Sequence, residues 1–471
     1  MHWSLRPLYS SPPPNTQRET VDHGVWSMTR KHRSPRPSRG SLLFAMVLLS
    51  ISVARAAEGF HLTSPEDVGF SSQRLERLDA LMQRVVAERE YAGVVTLLAR
   101  HGKILQFEAF GEADLASHTP LKKDAIFRIF SMSKPVTAVA MMLLYEEGKW
   151  NPQDPIYRYI PEFRHQQVYK GLDGFEKIVL EEPAHPPTMR ELMTHTAGFA
   201  YGWGDSPVDH LYRDEHNQSI FLSGSLQAMI DRLAKAPLMY QPGSRWIYSL
   251  SVDIQGYLIE KLSGTSLPEF MKKRIFEPLG MKDSDYYVPE EKRNRLASLY
   301  RMSDRGELAP SDPILGIQYR QEPSLPQGGA GLVSTAIDYF RFAQMLLNRG
   351  ELDGRRILAP KTVELMMSNQ LAQDVKVDFP GVQMRAGIGY GFDGAVVTDP
   401  ARATVPLGKG TYFWDGAAGT WFWVDPVYDV VFVGMVQRLG WGFPTANKDA
   451  PPDLEELSRA VTYQALVNPD K

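Results

Sequence analysis

The chain has 471 residues, of which 43% are hydrophobic, 23% charged and 11% aromatic, and it contains no cysteine. This composition is typical of a globular protein long enough for one large core or two lobes. The lack of cysteine excludes disulfides, thiolate catalysis and cysteine-ligated zinc or iron–sulfur centres.

The N-terminal stretch has the pattern of a secretory leader. A basic segment precedes an apolar run, Leu42–Val53, and Ala54-Arg55-Ala56 supplies an A-x-A cleavage signal. This order predicts a basic leader and signal peptide over residues 1–56, and therefore an exported protein, periplasmic or secreted, without stable membrane insertion after cleavage. The alternative is a short membrane anchor, although the run is short for a bilayer span. The basic segment is long for a signal peptide, so we expect translation to start at Met28 rather than Met1.

The leader changes the charge of the remaining chain. Residues 1–56 carry eight Lys/Arg and two Asp/Glu, a net charge of +6, so the overall −3 leaves −9 on the remainder. Nucleic-acid recognition needs a basic face, and we therefore expect no nucleic-acid partner.

Residues 57–150 show patterns of helices lying on a sheet. Apolar residues at helical spacing predict a helix over 71–89. Two apolar runs joined at His101-Gly102 predict a β-hairpin, and a further apolar helix begins near Ser131.

The middle of the chain, from about 151 to 319, is predicted to form a mainly helical lobe. Thr188 and Glu191 have the spacing of a capping box, which predicts a helix start. An amphipathic pattern over 251–264 predicts a helix that ends at Gly264.

Strand and helix patterns resume from about residue 320. A helix is predicted to begin at Ser334 or Thr335 and to end at Gly350. The stretch "GTYFWDGAAGTWFWVDPVYDVVFVGMVQ" contains two aromatic and β-branched runs separated by Asp425-Pro426, which predicts a hairpin, and a helix closes the chain. We therefore predict one unit over 57–471, in which an α/β lobe (about 57–150 and 320–471) carries the helical lobe.

A possible nucleophile lies in "FRIFSMSKPVTAVAMM", where Ser131 and Lys134 form an S-x-x-K motif. Pro135 is tolerated only in the first turn of a helix, so the helix begins close to Ser131. Free backbone N–H groups and the positive end of the helix dipole gather there, and they favour negative charge on a serine oxygen. The alternative is a capping serine followed by an exposed lysine.

A serine nucleophile needs a base, and neither a free lysine nor a free tyrosine serves at pH 7, since both have a pKa of about 10. Each becomes useful when burial and the neighbouring charge shift its pKa. A buried tyrosine at a loop-to-helix junction is therefore expected. Tyr248 in "PGSRWIYSLSVDIQGYLIEKLSG" has this position, although it could also be a core tyrosine.

Five ordered blocks resemble the serine β-lactamase and penicillin-binding protein superfamily, in particular its class C-like esterases (family VIII carboxylesterases). In chain order, the blocks are "IFRIFSMSKPVTAVAMMLLYEEGK", "PTMRELMTHTAGF", "PGSRWIYSLSVDIQGYLIEKLSG", "GGAGLVSTAIDYFRFAQMLLNRGEL" and "FWDGAAGTWFWVDP". The resemblance implies an α+β, β-lactamase-like fold, with a central antiparallel sheet flanked by helices and a mainly helical lobe. It implies no metal and no cofactor.

The resemblance also implies roles for single residues. Ser131 would be the acylated nucleophile, Lys134 its partner and Tyr248 the general base. Trp414-Asp415-Gly416 would be the third motif, and the N–H groups of Ser131 and Ala417 would form the oxyanion hole. We prefer this placement to Lys409-Gly410-Thr411 because it directly precedes the predicted strand.

Two departures from the β-lactamase pattern favour an esterase. Leu250 stands where β-lactamases have an amide side chain, and the third motif lacks their cationic lysine. Both changes favour small-molecule esters with neutral, apolar acyl groups over anionic β-lactams. Trp414, Gly416, Leu250 and Tyr201 are the predicted substrate-binding residues, although Tyr201 and Trp203 could equally be core aromatics.

Two other functions stay open. One is a β-lactamase, D-Ala-type peptidase or acyltransferase on the same fold, and the other is a non-catalytic protein that binds the cell wall. There is no G-x-S-x-G, H-E-x-x-H or Walker A motif. His195 is interpreted as structural, and Gly387-x-Gly389-x-Gly391 as part of a strand rather than a nucleotide loop.

Overall fold

The computed structural model describes residues 62–213, 219, 224–311, 319–372, 375–377, 386–440 and 453–471. They belong to one compact unit, Phe60–Lys471. The signal peptide predicted over residues 1–56 lies outside the described residues. Within the described ranges, no helix is both long and apolar enough to cross a membrane.

The centre of the fold is an antiparallel sheet of eight strands, counted over the described residues. Its strands are β1 (Gly93–Arg100), β2 (Lys103–Asp114), β3 (Thr119–Pro120), β4 (Ile388–Tyr390), β5 (Ala395–Val397), β6 (Tyr412–Asp415), β7 (Trp421–Asp425) and β8 (Val430–Met435). Their order across the sheet is β4-β5-β6-β7-β8-β1-β2-β3. The sheet predicted from the sequence is confirmed.

The hairpin β1–β2 turns at the predicted dipeptide. His101 has φ 53° and Gly102 has φ 70°, so both residues adopt the left-handed conformation that tight two-residue hairpin turns require. Every residue of β1 is buried, because helices cover both faces of the sheet.

Five longer helices surround this sheet and form the core with it. They are α1 (Ser72–Ala87), α2 (Ser133–Glu146), α3 (Ser251–Ser263), α4 (Ala336–Leu347) and α5 (Leu454–Ala465). One face of the sheet, with Val94 and Leu98, packs in a cluster with apolar residues of α1 and α5. The opposite face, with Val95 and Leu97, packs in a second cluster with residues of α2, α3 and α4. Strand residues alternate between the two clusters, as the two-residue period of a strand requires.

The described residues also contain shorter helices and strands. The short helices are Met189–Met193, Pro207–Leu211, Leu226–Leu233, Leu267–Met271, Glu277–Leu279, Pro360–Met366 and Pro400–Ala403, with 3-10 or π turns at Pro65–Val68, Phe130–Met132, Ile156–Arg158, Pro161–His165, Lys272–Phe276 and Glu290–Arg295. The short strands are Phe127–Arg128, Val168–Leu172, Ile178–Glu181, Arg245–Trp246, Tyr300–Met302, Leu308–Pro310, Val333–Ser334, Glu351–Leu352, Arg355–Arg356, Lys376–Val377 and Arg438–Leu439. The capping box at Thr188 and Glu191 is formed, and Gly264 ends α3 in the left-handed conformation.

One strand boundary differs from the sequence prediction. The aromatic stretch forms three strands rather than two, because the residues between β6 and β7 make a tight turn closed by a hydrogen bond from Gly416 N–H to the Thr420 carbonyl (2.7 Å). Trp414 and Asp415 therefore lie at the end of β6 instead of in a loop before a strand.

Candidate active site

Ser131 lies in a short 3-10 turn, Phe130–Met132, that leads directly into α2. Pro135 is accordingly in the first turn of α2, where its missing N–H costs no hydrogen bond. Phe130 has φ 41°, an uncommon conformation for a large side chain and one that concentrates at functional sites. Ser131 is half-buried and lies just before the N-terminus of α2.

Lys134 is completely buried, with 0% of its surface exposed. Its Nζ lies 3.3 Å from Ser131 Oγ and donates a hydrogen bond to the Gly329 carbonyl (2.8 Å). Burial lowers the Lys134 pKa to about 8, although the carboxylates of Asp253, Asp393 and Asp415 partly oppose this shift. The alternative of an exposed lysine is therefore wrong.

Tyr248 lies in the loop immediately before α3 and meets the same two residues. Its hydroxyl is hydrogen-bonded to the Ser131 side chain and accepts a hydrogen bond from Trp414 Nε1–H (3.4 Å). Lys134 Nζ lies 4.4 Å from the centre of the Tyr248 ring, at a cation–π distance. The structure thus brings together the three side chains that the sequence singled out.

Aromatic and polar groups hold the Tyr248 ring in place. His195, whose ring centre lies 4.9 Å from that of Tyr248, is fully buried, and its Nδ1 contacts Ser249 Oγ at 3.0 Å. Burial, together with the charge of Lys134, lowers the His195 pKa well below its ordinary value. A buried neutral imidazole packed against the phenol fits the structural role predicted for His195.

The turn after β6 lies directly against the segment that precedes Ser131. A Cβ atom on Gly416 would lie 2.3 Å from the Ile129 carbonyl oxygen and 2.4 Å from Thr420 Oγ1, so only glycine fits this close approach. Ala417 follows in the same turn and packs on the cluster that contains Phe130. None of the described residues accepts a hydrogen bond from the Ala417 N–H. The role of this N–H as the second oxyanion donor stays a prediction.

Replacing Gly416 by valine should displace this turn and with it the Ala417 N–H. We expect a loss of about 10²–10³-fold in kcat, the effect of removing one oxyanion donor, measured with p-nitrophenyl butyrate. Gly174→Ala is the control, because a Cβ at Gly174 meets nothing within 4 Å. Wild-type kcat in a folded Gly416→Val protein would contradict the placement of the oxyanion hole.

The other predicted substrate-binding residues have different surroundings. The Tyr201 ring stacks on Trp203 (4.2 Å between centres) and lies 5.6 Å from Lys134 Nζ, so it borders the site. Leu250 is only 3% exposed and lies in the cluster that joins the sheet to α2, α3 and α4; its contact with substrate stays a prediction. No described contact joins Lys409 to the three central side chains, in contrast to Trp414.

Sequence reasoning missed two residues of the site, Asp253 and Gly329. Gly329 accepts the hydrogen bond from Lys134, and its own N–H donates to Asp253 Oδ1 (3.0 Å). The available signals were a Gly-Gly pair after a proline-rich loop and an acidic residue on the apolar face of α3. Among the described residues, no group of three His, Asp or Glu side chains could hold a metal ion.

Comparisons with known proteins found a family model, relatives and solved structures that are similar to this chain. A family model described as Beta-lactamase matches residues 78–451. Protein Rv1367c of Mycobacterium tuberculosis is 36% identical over 393 residues, which cover 80% of this chain and 95% of that protein. Esterase EstB of Burkholderia gladioli is 33% identical over 368 residues, which cover 74% and 86%. The structure of EstCE1, described as a hydrolase with promiscuous acyltransferase activity, matches with a TM-score of 0.66 at 26% identity and covers 83% of this chain and 99% of that one.

Proposed function

The chain belongs to the Beta-lactamase family and is a serine hydrolase, and on that premise we propose that it cleaves carboxylic esters of small apolar acyl groups through an acyl-enzyme on Ser131. The observation that carries the proposal is the contact of Ser131 Oγ with both Lys134 Nζ and the Tyr248 hydroxyl. We also propose that the enzyme acts after export, on the strength of the leader pattern in residues 1–56.

In the first step Ser131 Oγ attacks the ester carbonyl and its proton passes to Lys134 Nζ. From the sequence we expected Tyr248 to accept this proton, but the pKa shifts favour Lys134. Burial raises the Tyr248 pKa far above 10, so the phenol stays protonated and is a poor acceptor for the serine proton. With a pKa of about 8, Lys134 is partly neutral near pH 7 and can act as the base.

Acylation ends when the tetrahedral intermediate collapses. Its oxyanion is held by the N–H groups of Ser131 and Ala417, and the C–O bond to the alcohol breaks. The proton on Lys134 passes to the departing alkoxide, directly or through the Tyr248 hydroxyl. A water molecule then enters, gives a proton to Lys134 and attacks the acyl carbon, so that the acid leaves and Ser131 Oγ is reprotonated.

The charges around the site favour neutral substrates. Three carboxyl groups act on Lys134: those of the buried Asp253 and Asp393, and that of the half-buried Asp415. Trp414, and not a lysine, presents the polar group of the third motif to Tyr248. An anionic β-lactam would therefore find an indole, and no lysine of the third motif, where its own carboxylate needs a cation.

A substrate panel tests this proposal. We expect p-nitrophenyl acetate, butyrate and hexanoate to be hydrolysed with kcat/KM about 10²-fold or more above that for benzylpenicillin, because loss of a charge partner for the lactam carboxylate costs about 2–5 kcal/mol. Spectrophotometric rates on the purified protein provide the measurement. Faster hydrolysis of penicillin than of any ester would replace the proposal with the β-lactamase alternative.

A further inference from the structure

We propose that Asp253 is a positioning residue for the ester hydrolysis proposed above: its buried carboxylate anchors Gly329, which in turn fixes the Lys134 amine beside Ser131, and its negative charge acts on that amine. The inference depends on that proposed function, because Lys134 is its proton acceptor. Asp253 itself touches neither Ser131 nor the reacting atoms of a substrate bound there.

The contacts form a continuous chain from α3 to α2. Asp253 is 3% exposed, and its Oδ1 accepts the Gly329 N–H at 3.0 Å. The carbonyl of the same glycine accepts from Lys134 Nζ at 2.8 Å. Gly329 thus joins a helix that carries the carboxylate to the helix that carries the amine.

Close packing on both sides fixes the position of this glycine pair. The neighbouring Gly328 carbonyl accepts a hydrogen bond from Thr137 Oγ1 of α2 (2.7 Å). A Cβ on Gly328 would lie 2.3 Å from the Val252 carbonyl oxygen of α3. The segment is therefore held between the two helices, and this places Gly329 next to Lys134.

The carboxylate is also close enough to act on the amine through its charge. A Cβ on Gly329 would lie 3.0 Å from Asp253 Oδ2 and 3.3 Å from Lys134 Nζ, so these two atoms are within about 6 Å of each other. An opposite charge at that distance shifts a pKa by about 1–3 units. Asp253 is the strongest of the charges that raise the Lys134 pKa against the effect of burial.

Other titratable groups also face Lys134. They are Asp393 in the turn between β4 and β5, Asp415 at the end of β6, and the side chains of His195, Tyr201 and Tyr248. Asp253 differs from the other two carboxylates because it also bonds Gly329. Its loss should therefore change both the charge at Lys134 and the support of its hydrogen-bond acceptor.

The test is the pH dependence of kcat/KM for Asp253→Asn. An asparagine oxygen still accepts the Gly329 N–H, so the substitution removes mainly the negative charge. Lys134 then loses its proton at lower pH, and we expect the rising limb of the pH profile to move about one unit below that of the wild type. The control is Asp338→Asn, which neutralises another buried carboxylate that none of the contacts described here joins to Lys134; its profile should keep the wild-type midpoint.

A rising limb that is unchanged, or moved to higher pH, in folded Asp253→Asn would overturn the inference. If that variant does not fold, Gly329→Ala is the second test of the inference, because its Cβ would push Asp253 and Lys134 apart. It should then lose about tenfold or more in kcat, and wild-type kcat would overturn the inference. An inactive wild-type enzyme would instead refute the proposed function, so the two failures are distinguishable.

Discussion

Replacing Ser131 by alanine is expected to reduce the turnover of p-nitrophenyl butyrate by about 10⁴-fold or more, because no other group can form the acyl-enzyme. Ser131 Oγ lies 3.3 Å from Lys134 Nζ, and the variant removes only this oxygen. Circular dichroism and the urea midpoint should match the wild type, since a half-buried hydroxyl is lost without leaving a large cavity.

Ser133→Ala is the matched control for this experiment. Ser133 lies on the same helix, but its buried hydroxyl accepts a hydrogen bond from Leu332 N–H (3.1 Å) and is not part of the proposed site. Its removal should cost about 1 kcal/mol of stability and change kcat less than about threefold. Substantial activity in Ser131→Ala would remove Ser131 from the mechanism.

Replacing Lys134 by methionine is expected to lower kcat/KM by about 10²–10⁴-fold, the usual contribution of a general base. In the wild type, Lys134 is protonated below its pKa of about 8 and cannot accept the serine proton. The rate should therefore rise with pH through about 8, and this rise should be missing from the residual activity of the variant. Lys134→Arg keeps a positive charge but cannot act as a base; near wild-type activity in it would show that Lys134 supplies charge only.

The same substitution has a predicted signature in stability. The Lys134 pKa is lowered on folding from 10.5 to about 8, so between these pH values the unfolded chain binds more protons than the folded one. The free energy of unfolding contributed by this group consequently rises from pH 8 to pH 10.5 and is constant below pH 8. Relative to Lys134→Met, the wild type should gain about 3 kcal/mol between pH 7 and pH 10.5, as measured by urea unfolding.

Local patterns predicted the elements of the fold that depend on neighbouring residues. The turn at His101-Gly102, the capping box at Thr188 and the helix end at Gly264 all follow from short-range backbone chemistry, and the structure has each of them. The division of the aromatic stretch into β6 and β7 was not predicted. Asp415-Gly416 and Gly419 between these strands are ordinary turn signals, and the sequence prediction overlooked them in favour of Asp425-Pro426.

In the candidate site, features that depend on nearby residues were predicted, and contacts between distant segments were not. Ser131 and Lys134 are close in sequence, and Tyr248 was found because the chemistry required a buried phenol at a helix start. Asp253 and Gly329 were missed because their contribution depends on contacts between α2, α3 and a loop 76 residues from Asp253. The proposal of Lys134 rather than Tyr248 as the base rests on the pKa shifts that burial causes in both groups, and burial cannot be read from spacing.

Covalent labelling tests the central claim most directly. Purified protein is treated with a fluorophosphonate, and the adduct is located by mass spectrometry of the intact chain and of its peptides. One equivalent attached to Ser131, and none in Ser131→Ala, is the predicted result. A protein that stays unlabelled, or one labelled at another hydroxyl such as that of Ser249, would contradict the assignment of Ser131 as the nucleophile.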